Sequence, residues 1–104
     1  MFEITVRPAA RRDQIELAEY YESEGGESIA LRFLQGCDDA FDQIASFPES
    51  GTKVRYRNEK LRKCRFVLVP GFEKIVIFYL AMPTQIEIVR ILHGARDIDN
   101  ALDQ

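Results

Sequence analysis

Tryptophan is absent from this chain, histidine occurs once, at His93, and cysteine twice, at Cys37 and Cys64. The cysteines form no Cys-x-x-Cys pair, and a single histidine beside them is too little for a zinc site. There is no glycine-rich phosphate loop, no Gly-x-Ser-x-Gly elbow and no paired-carboxylate motif. Neither a metal nor a cofactor is expected. No apolar run approaches the roughly 20 residues that span a bilayer. The segment Met1-Phe-Glu-Ile-Thr-Val-Arg7 has no basic stretch followed by an apolar one, so it reads as a strand rather than a signal peptide. These absences point to a cytoplasmic protein with reduced thiols and no membrane segment.

What is present suits one globular domain over residues 1–104, with 46% apolar residues for a core. The net charge of −3 hides an asymmetry. Lys53, Arg55, Arg57, Lys60, Arg62, Lys63 and Arg65 stand against Glu59 alone, so residues 53–65 carry +6 and the rest −9. A basic patch on an acidic body suggests a localised anionic partner. The plainer account is a solvated loop and edge strand, where such residues discourage aggregation.

Residues 2–7 alternate, with Phe2, Ile4 and Val6 on one face, as in a strand with one buried side. Pro8 suits a first helical turn. Helix formers follow over 9–23, with Ala10, Gln14, Leu17, Ala18 and Tyr21 on one stripe, and Gly25-Gly26 ends them. Ser28 is a candidate N-cap for a second helix over 28–47, whose stripe is Ala30, Phe33, Leu34, Cys37, Phe41 and Ile44. Pro48 stops it. The two helices should form an antiparallel hairpin. Residues 53–58 read as loop or weak strand, and 61–69 as a strand with interleaved arginines. Pro70-Gly71 is a tight turn. Residues 74–80 are almost wholly apolar, as in a central strand covered on both faces. Met82-Pro83-Thr84 reverses the chain into a last strand over 85–92, and 97–104 suit one helical turn. The order predicts a two-layer α+β domain, β-α-α-β-β-β, with the hairpin on one face of the sheet. Ile4, Val6, Leu17, Phe33, Leu34, Phe41, Ile44, Ile77 and Ile88 are expected in the core.

The polar residues gather where the last strand ends. Arg90, His93, Arg96 and Asp97 cluster around His93-Gly94, and a rigid strand with an exposed exit is a common place for function. His93 has the only side chain with an ordinary pKa suited to proton transfer near neutrality. Arg90 and Arg96 nearby could stabilise an anionic transition state, and Arg65 could join them if the strands pack in that order, which makes a metal-free ribonuclease site conceivable. The competing account is structural. His93 is then a turn residue, and Arg90 and Arg96 pair with Asp97 and Asp99 to pin the tail. Arg90, costly to bury unpaired, must in any case reach solvent, an acidic partner such as Glu87 or Asp97, or a target. Cys37 and Cys64 read as packing residues. Tyr20 and Tyr21 cannot both face the core, so one is exposed, a mild sign of a partner surface.

The run Ile88-Val-Arg-Ile-Leu-His-Gly-Ala-Arg-Asp97 resembles the terminal signature of the ParE branch of the RelE/ParE toxin superfamily, small toxins of bacterial toxin–antitoxin pairs. The likeness extends through Arg7-Pro8-Ala9-Ala10, Tyr20-Tyr21, Arg32-Phe33-Leu34, Phe47-Pro48 with Gly51, Leu61-Arg62, and Lys74-Ile-Val-Ile-Phe-Tyr79. It implies a helical hairpin packed on an antiparallel sheet. It also implies a cognate antitoxin that wraps the toxin in a hetero-oligomer, with Tyr20, Arg62, Lys63 and Arg65 as expected contacts. ParE-type relatives are associated with poisoning DNA gyrase, for which Arg90, His93 and Arg96 are the candidate contacts. RelE-type relatives cleave messenger RNA on the ribosome; on that alternative Arg65, Arg90 and His93 would be the catalytic set. The acidic net charge and the lack of a basic, aromatic tail depart from the RelE pattern. A third possibility is an inactive member that pairs with its antitoxin and co-represses their operon.

Overall fold

Proline at the head of the first helix sets how the chain leaves its first strand. The computed structural model describes residues 2–54 and 62–94. In it β1 (Glu3–Val6) is followed at once by α1 (Pro8–Gly25), α2 (Glu27–Ser46), β2 (Thr52–Lys53), β3 (Arg65–Val69), β4 (Phe72–Ala81) and β5 (Gln85–His93). Arg7 is extended, as the residue before a proline prefers, and Pro8 opens α1 with a fixed φ and no N–H to lose. Residues 55–60, Leu61 and the expected tail turn over 97–104 lie outside the described residues.

The two-layer α+β order stands as the pattern predicts. The strands lie in the order β1-β5-β4-β3-β2. From β2 to β5 every pairing is antiparallel, whereas β1 lies parallel to β5, pairing Ile4 with Ile86 and Val6 with Ile88. The sheet is therefore mixed. Tight turns force antiparallel neighbours only on consecutive strands. β1 is separated from β5 by most of the chain, so no turn dictates its direction.

Ser28 does not cap α2. Gly26 is the junction of both helices: its N–H donates to Glu22 O at 2.8 Å, closing α1, and its own carbonyl accepts from Ala30 N–H to open α2. One residue joins the helices, which leaves Ser28 inside the first turn.

The main core lies between hairpin and sheet. Of the expected core residues, Leu17, Phe33, Ile44, Ile77 and Ile88 are buried, and Ile4, Val6, Leu34 and Phe41 pack half-buried against them. Strand β4 is covered on both faces, as its unbroken apolar run predicts. Ile75, Ile77 and Tyr79 face the helices, while Val76 and Phe78 join Val54, Cys64, Val89 and Leu92 in a second cluster across the sheet. Tyr21, Phe33 and Phe72 stack at the far end of the hairpin with ring centroids 4.8–5.4 Å apart. Among the described residues, no helix is long and apolar enough to cross a membrane.

Candidate functional site

Strand β5 carries the candidate cluster, and its register changes just before it. Tyr79 of β4 pairs with Ile88, but Phe78 pairs with Arg90, so Val89 is an extra residue in a β-bulge. Bulges re-aim side chains near the ends of pairing. Here the bulge brings Arg90 to α1, where its Nε donates to Asp13 Oδ2 at 2.7 Å and its Nη2 to Asp13 Oδ1 at 3.0 Å. The Ile91 N–H donates to the same Oδ2 at 3.0 Å. The pair is largely shielded, with the Asp13 side chain 12% exposed.

Arg90 thus has an acidic partner, but not the expected one. Glu87 is taken by Arg7, whose Nε donates to Glu87 Oε2 at 2.8 Å across the β1–β5 pairing. Asp97, Asp99 and Arg96 lie outside the described residues. His93 is half-buried at the strand end, opposite Ile75, and the following Gly94 N–H donates to Lys74 O at 2.7 Å.

Arg65 is also committed internally. Its guanidinium donates to Gly51 O at 2.9 Å and Glu49 O at 3.2 Å. The same turn is held by Tyr79, wholly buried, whose hydroxyl donates to Pro48 O at 2.8 Å and accepts from Gly51 N–H at 2.9 Å. Along β4, Arg65 sits opposite Tyr79 and His93 opposite Ile75. Four residues of strand separate those levels, about 13 Å. The set Arg65, Arg90 and His93 is not gathered at one point.

The other candidates are surface groups or packing groups. Tyr20 is exposed and rests edge-on against half-buried Tyr21. Arg62 and Lys63 are exposed in the turn before β3. Elsewhere, the hairpin presents a groove of about 490 Å³ lined by Ile15, Ala18, Leu31 and Leu34. Ile15 and Leu31 are more than half exposed, and Glu19, Glu22 and Glu27 line the rim with Arg11. Cys37 and Cys64 are buried, and burial pushes both thiols up to about 11. At Cys37 a hydrogen bond with Gln14 opposes the shift without cancelling it. Such thiols are poor nucleophiles. Among the described residues no group of His, Cys, Asp or Glu is arranged to hold a metal ion.

Asp13, Tyr79 and Gly51 are absent from the candidates drawn from sequence. A tyrosine in an otherwise apolar strand was the available signal, because a buried hydroxyl needs a partner. Asp13 has a weaker one, a carboxylate beside the apolar stripe of α1.

No curated protein matches the chain. Among solved structures, a chain of the chromosomal ParDE toxin–antitoxin system from P. aeruginosa superposes with a TM-score of 0.70 at 16% identity, covering 89% of this chain and 96% of that one. That likeness is one of fold. A family model described as the ParE toxin of the type II toxin–antitoxin system parDE matches residues 4–98, nearly the whole chain, which therefore belongs to the ParE toxin family.

Proposed function

We propose that this ParE-family toxin arrests growth by binding DNA gyrase and is neutralised by a cognate antitoxin that covers its helical hairpin. The observation that favours binding over RNA cleavage is the fate of the arginines. Arg65 and Arg90, which a ribonuclease would aim at a scissile phosphate, donate to Glu49, Gly51 and Asp13 of the protein itself. Cleavage of RNA without a metal needs a base at the attacking oxygen, an acid at the leaving oxygen and cations at the phosphate, all gathered around one phosphorus. Here Arg65 and His93 stand at different levels of the sheet. The surface proposed for the target is the end of β5 around His93, with Arg96 beyond it in sequence.

The antitoxin reading is supported by the groove between α1 and α2. Its exposed Ile15 and Leu31 are apolar anchors of the kind that helix-in-groove docking uses. Exposed Tyr20 on α1 and the exposed cations Arg62 and Lys63, before β3, are the further contacts of the proposed antitoxin surface. The test is supercoiling by purified gyrase. The toxin should inhibit it, and a molar equivalent of the antitoxin encoded beside it should restore it. Cleavage of messenger RNA in translating ribosomes, with supercoiling untouched, would instead establish the RelE-like activity.

A further inference from the structure

The last strand outruns its neighbour. β1 lies beside β5 only from Gln85 to Ile88, and the bond from Arg7 N–H to Ile88 O, 3.0 Å, follows before Pro8 turns the chain into α1. Beyond that point an outward N–H of β5 needs an acceptor from elsewhere, because an unpaired backbone donor is costly. For Ile91 the acceptor is Asp13 Oδ2, at 3.0 Å. The same carboxylate takes two bonds from Arg90 in the paired geometry that a carboxylate and a guanidinium prefer. On the other side of β5, Ile91 pairs with Ile77 and His93 with Ile75 of β4. The end of β5 is thus gripped from both sides, by a strand and by one aspartate.

We propose that Asp13 is a positioning residue, whose carboxylate stands in for the missing strand and sets the end of β5 for contact with the target. Arg90 acts through Asp13 and not on the target. The bulge at Val89 shifts the register so that Arg90 and the Ile91 N–H both meet one carboxylate. This assignment rests on the reading above, in which the strand end at His93 meets the target. It separates two arginines that look alike in sequence: Arg90 is a brace, while Arg96 stays a proposed target contact.

The experiment uses the full-length toxin in three variants, Asp13→Asn, Asp13→Ala and Arg90→Gln, and the double variant Asp13→Asn with Arg90→Gln. Asn keeps a carbonyl for Ile91 N–H but loses the charge. Growth arrest on induced expression is measured beside antitoxin affinity, thermal midpoint and amide exchange. Asp13→Ala should weaken arrest by about tenfold or more, and the double variant should be no worse than its worse single. Exchange at Ile91 and His93 should speed by about tenfold while Ile77 stays protected. Antitoxin affinity should stay near wild type, which a general loss of fold would not allow. Should Asp13→Ala not fold, Asp13→Asn and the double variant carry the same comparison. Losses that add in the double variant, or a toxic Asp13→Asn beside an inactive Arg90→Gln of equal stability, would overturn the proposal. A wild-type toxin that leaves growth untouched would overturn the functional reading itself, an outcome distinct from either.

Discussion

Gly51 and Tyr79 lie 28 residues apart and share one corner of the molecule. A Cβ built on Gly51 would fall 2.4 Å from the Tyr79 hydroxyl and 2.9 Å from Phe66 O, so only glycine allows this approach. Gly51→Ala should cost about 1–3 kcal/mol from overpacking. Tyr79→Phe should cost about as much, because Gly51 N–H and Pro48 O each lose a buried partner. The two losses should be less than additive, since removing the hydroxyl relieves the nearest contact. Urea denaturation of the singles and the double checks this. The cysteines give a second test at this scale. Burial lifts Cys37 and Cys64 from 9.0 to about 11. Between those values an unfolded chain has released protons that the folded chain still holds. Their contribution is therefore intact below about pH 9 and is lost as pH rises toward 11. Urea midpoints should fall across that window, and a Cys37→Ala, Cys64→Ala double variant, weaker at pH 8, should show a shallower fall. Iodoacetamide should label both thiols slowly in buffer and rapidly in urea.

The junction of α1 and α2 shows how an element can rest on one backbone conformation. Gly26 has φ 87° and ψ 177°, a region open essentially to glycine alone, and nothing lies within 4 Å of where a Cβ would stand. The cost of substitution is then in the backbone and not in contacts. Gly26→Ala and Gly26→Leu should each lose about 1–3 kcal/mol and differ little from one another, a result that thermal melts of the two variants can read. Much of this level was legible in the sequence. The period-3.6 stripes gave both helices within two residues, the alternation of Phe2, Ile4 and Val6 gave β1, and the apolar run of β4 gave its burial on both faces. Local pattern failed where the decisive neighbour was distant. The parallel seat of β1 beside β5 depends on no turn, and the Val89 bulge is a property of a pairing rather than of a segment. The candidate site was harder to read for the same reason. The charge of Arg90 in an apolar strand called for solvent, a target or an acidic partner, and Glu87 and Asp97 were the acids near it in sequence. The partner is Asp13, 77 residues away, which only the packing of α1 on β5 brings close. Arg65, a candidate contact from sequence, likewise donates to Glu49 and Gly51, which lie 16 and 14 residues before it.

Among the described residues, the helices are acidic and the start of β3 is basic. Helices α1 and α2 hold nine acidic residues against three arginines, while Lys53, Arg62, Lys63 and Arg65 bracket the start of β3. A partner that covers both regions should itself be segmented. The part in the hairpin groove would present apolar side chains with basic flanks toward Glu19, Glu22 and Glu27. The part near Arg62 and Lys63 would be acidic. Leu31→Glu separates the two contributions. Leu31 is 56% exposed, so the change should move the stability of the toxin by no more than about 0.5 kcal/mol. In the groove, however, it sets a carboxylate among Ile15, Ala18 and Leu34 and would force any apolar anchor to face a charge. The expected outcome is antitoxin affinity lowered by at least about tenfold, equivalent to 1.4 kcal/mol, with growth arrest no longer relieved by the co-expressed antitoxin. Reversal of Arg62 and Lys63 to Glu should weaken association more at low salt than at high salt, because exposed charges are screened beyond about 10 Å at 0.1 M. Calorimetry of each variant at two salt concentrations measures both effects. If Leu31→Glu binds as wild type while the 62–63 reversal abolishes binding, the antitoxin lies along the basic edge and leaves the groove open.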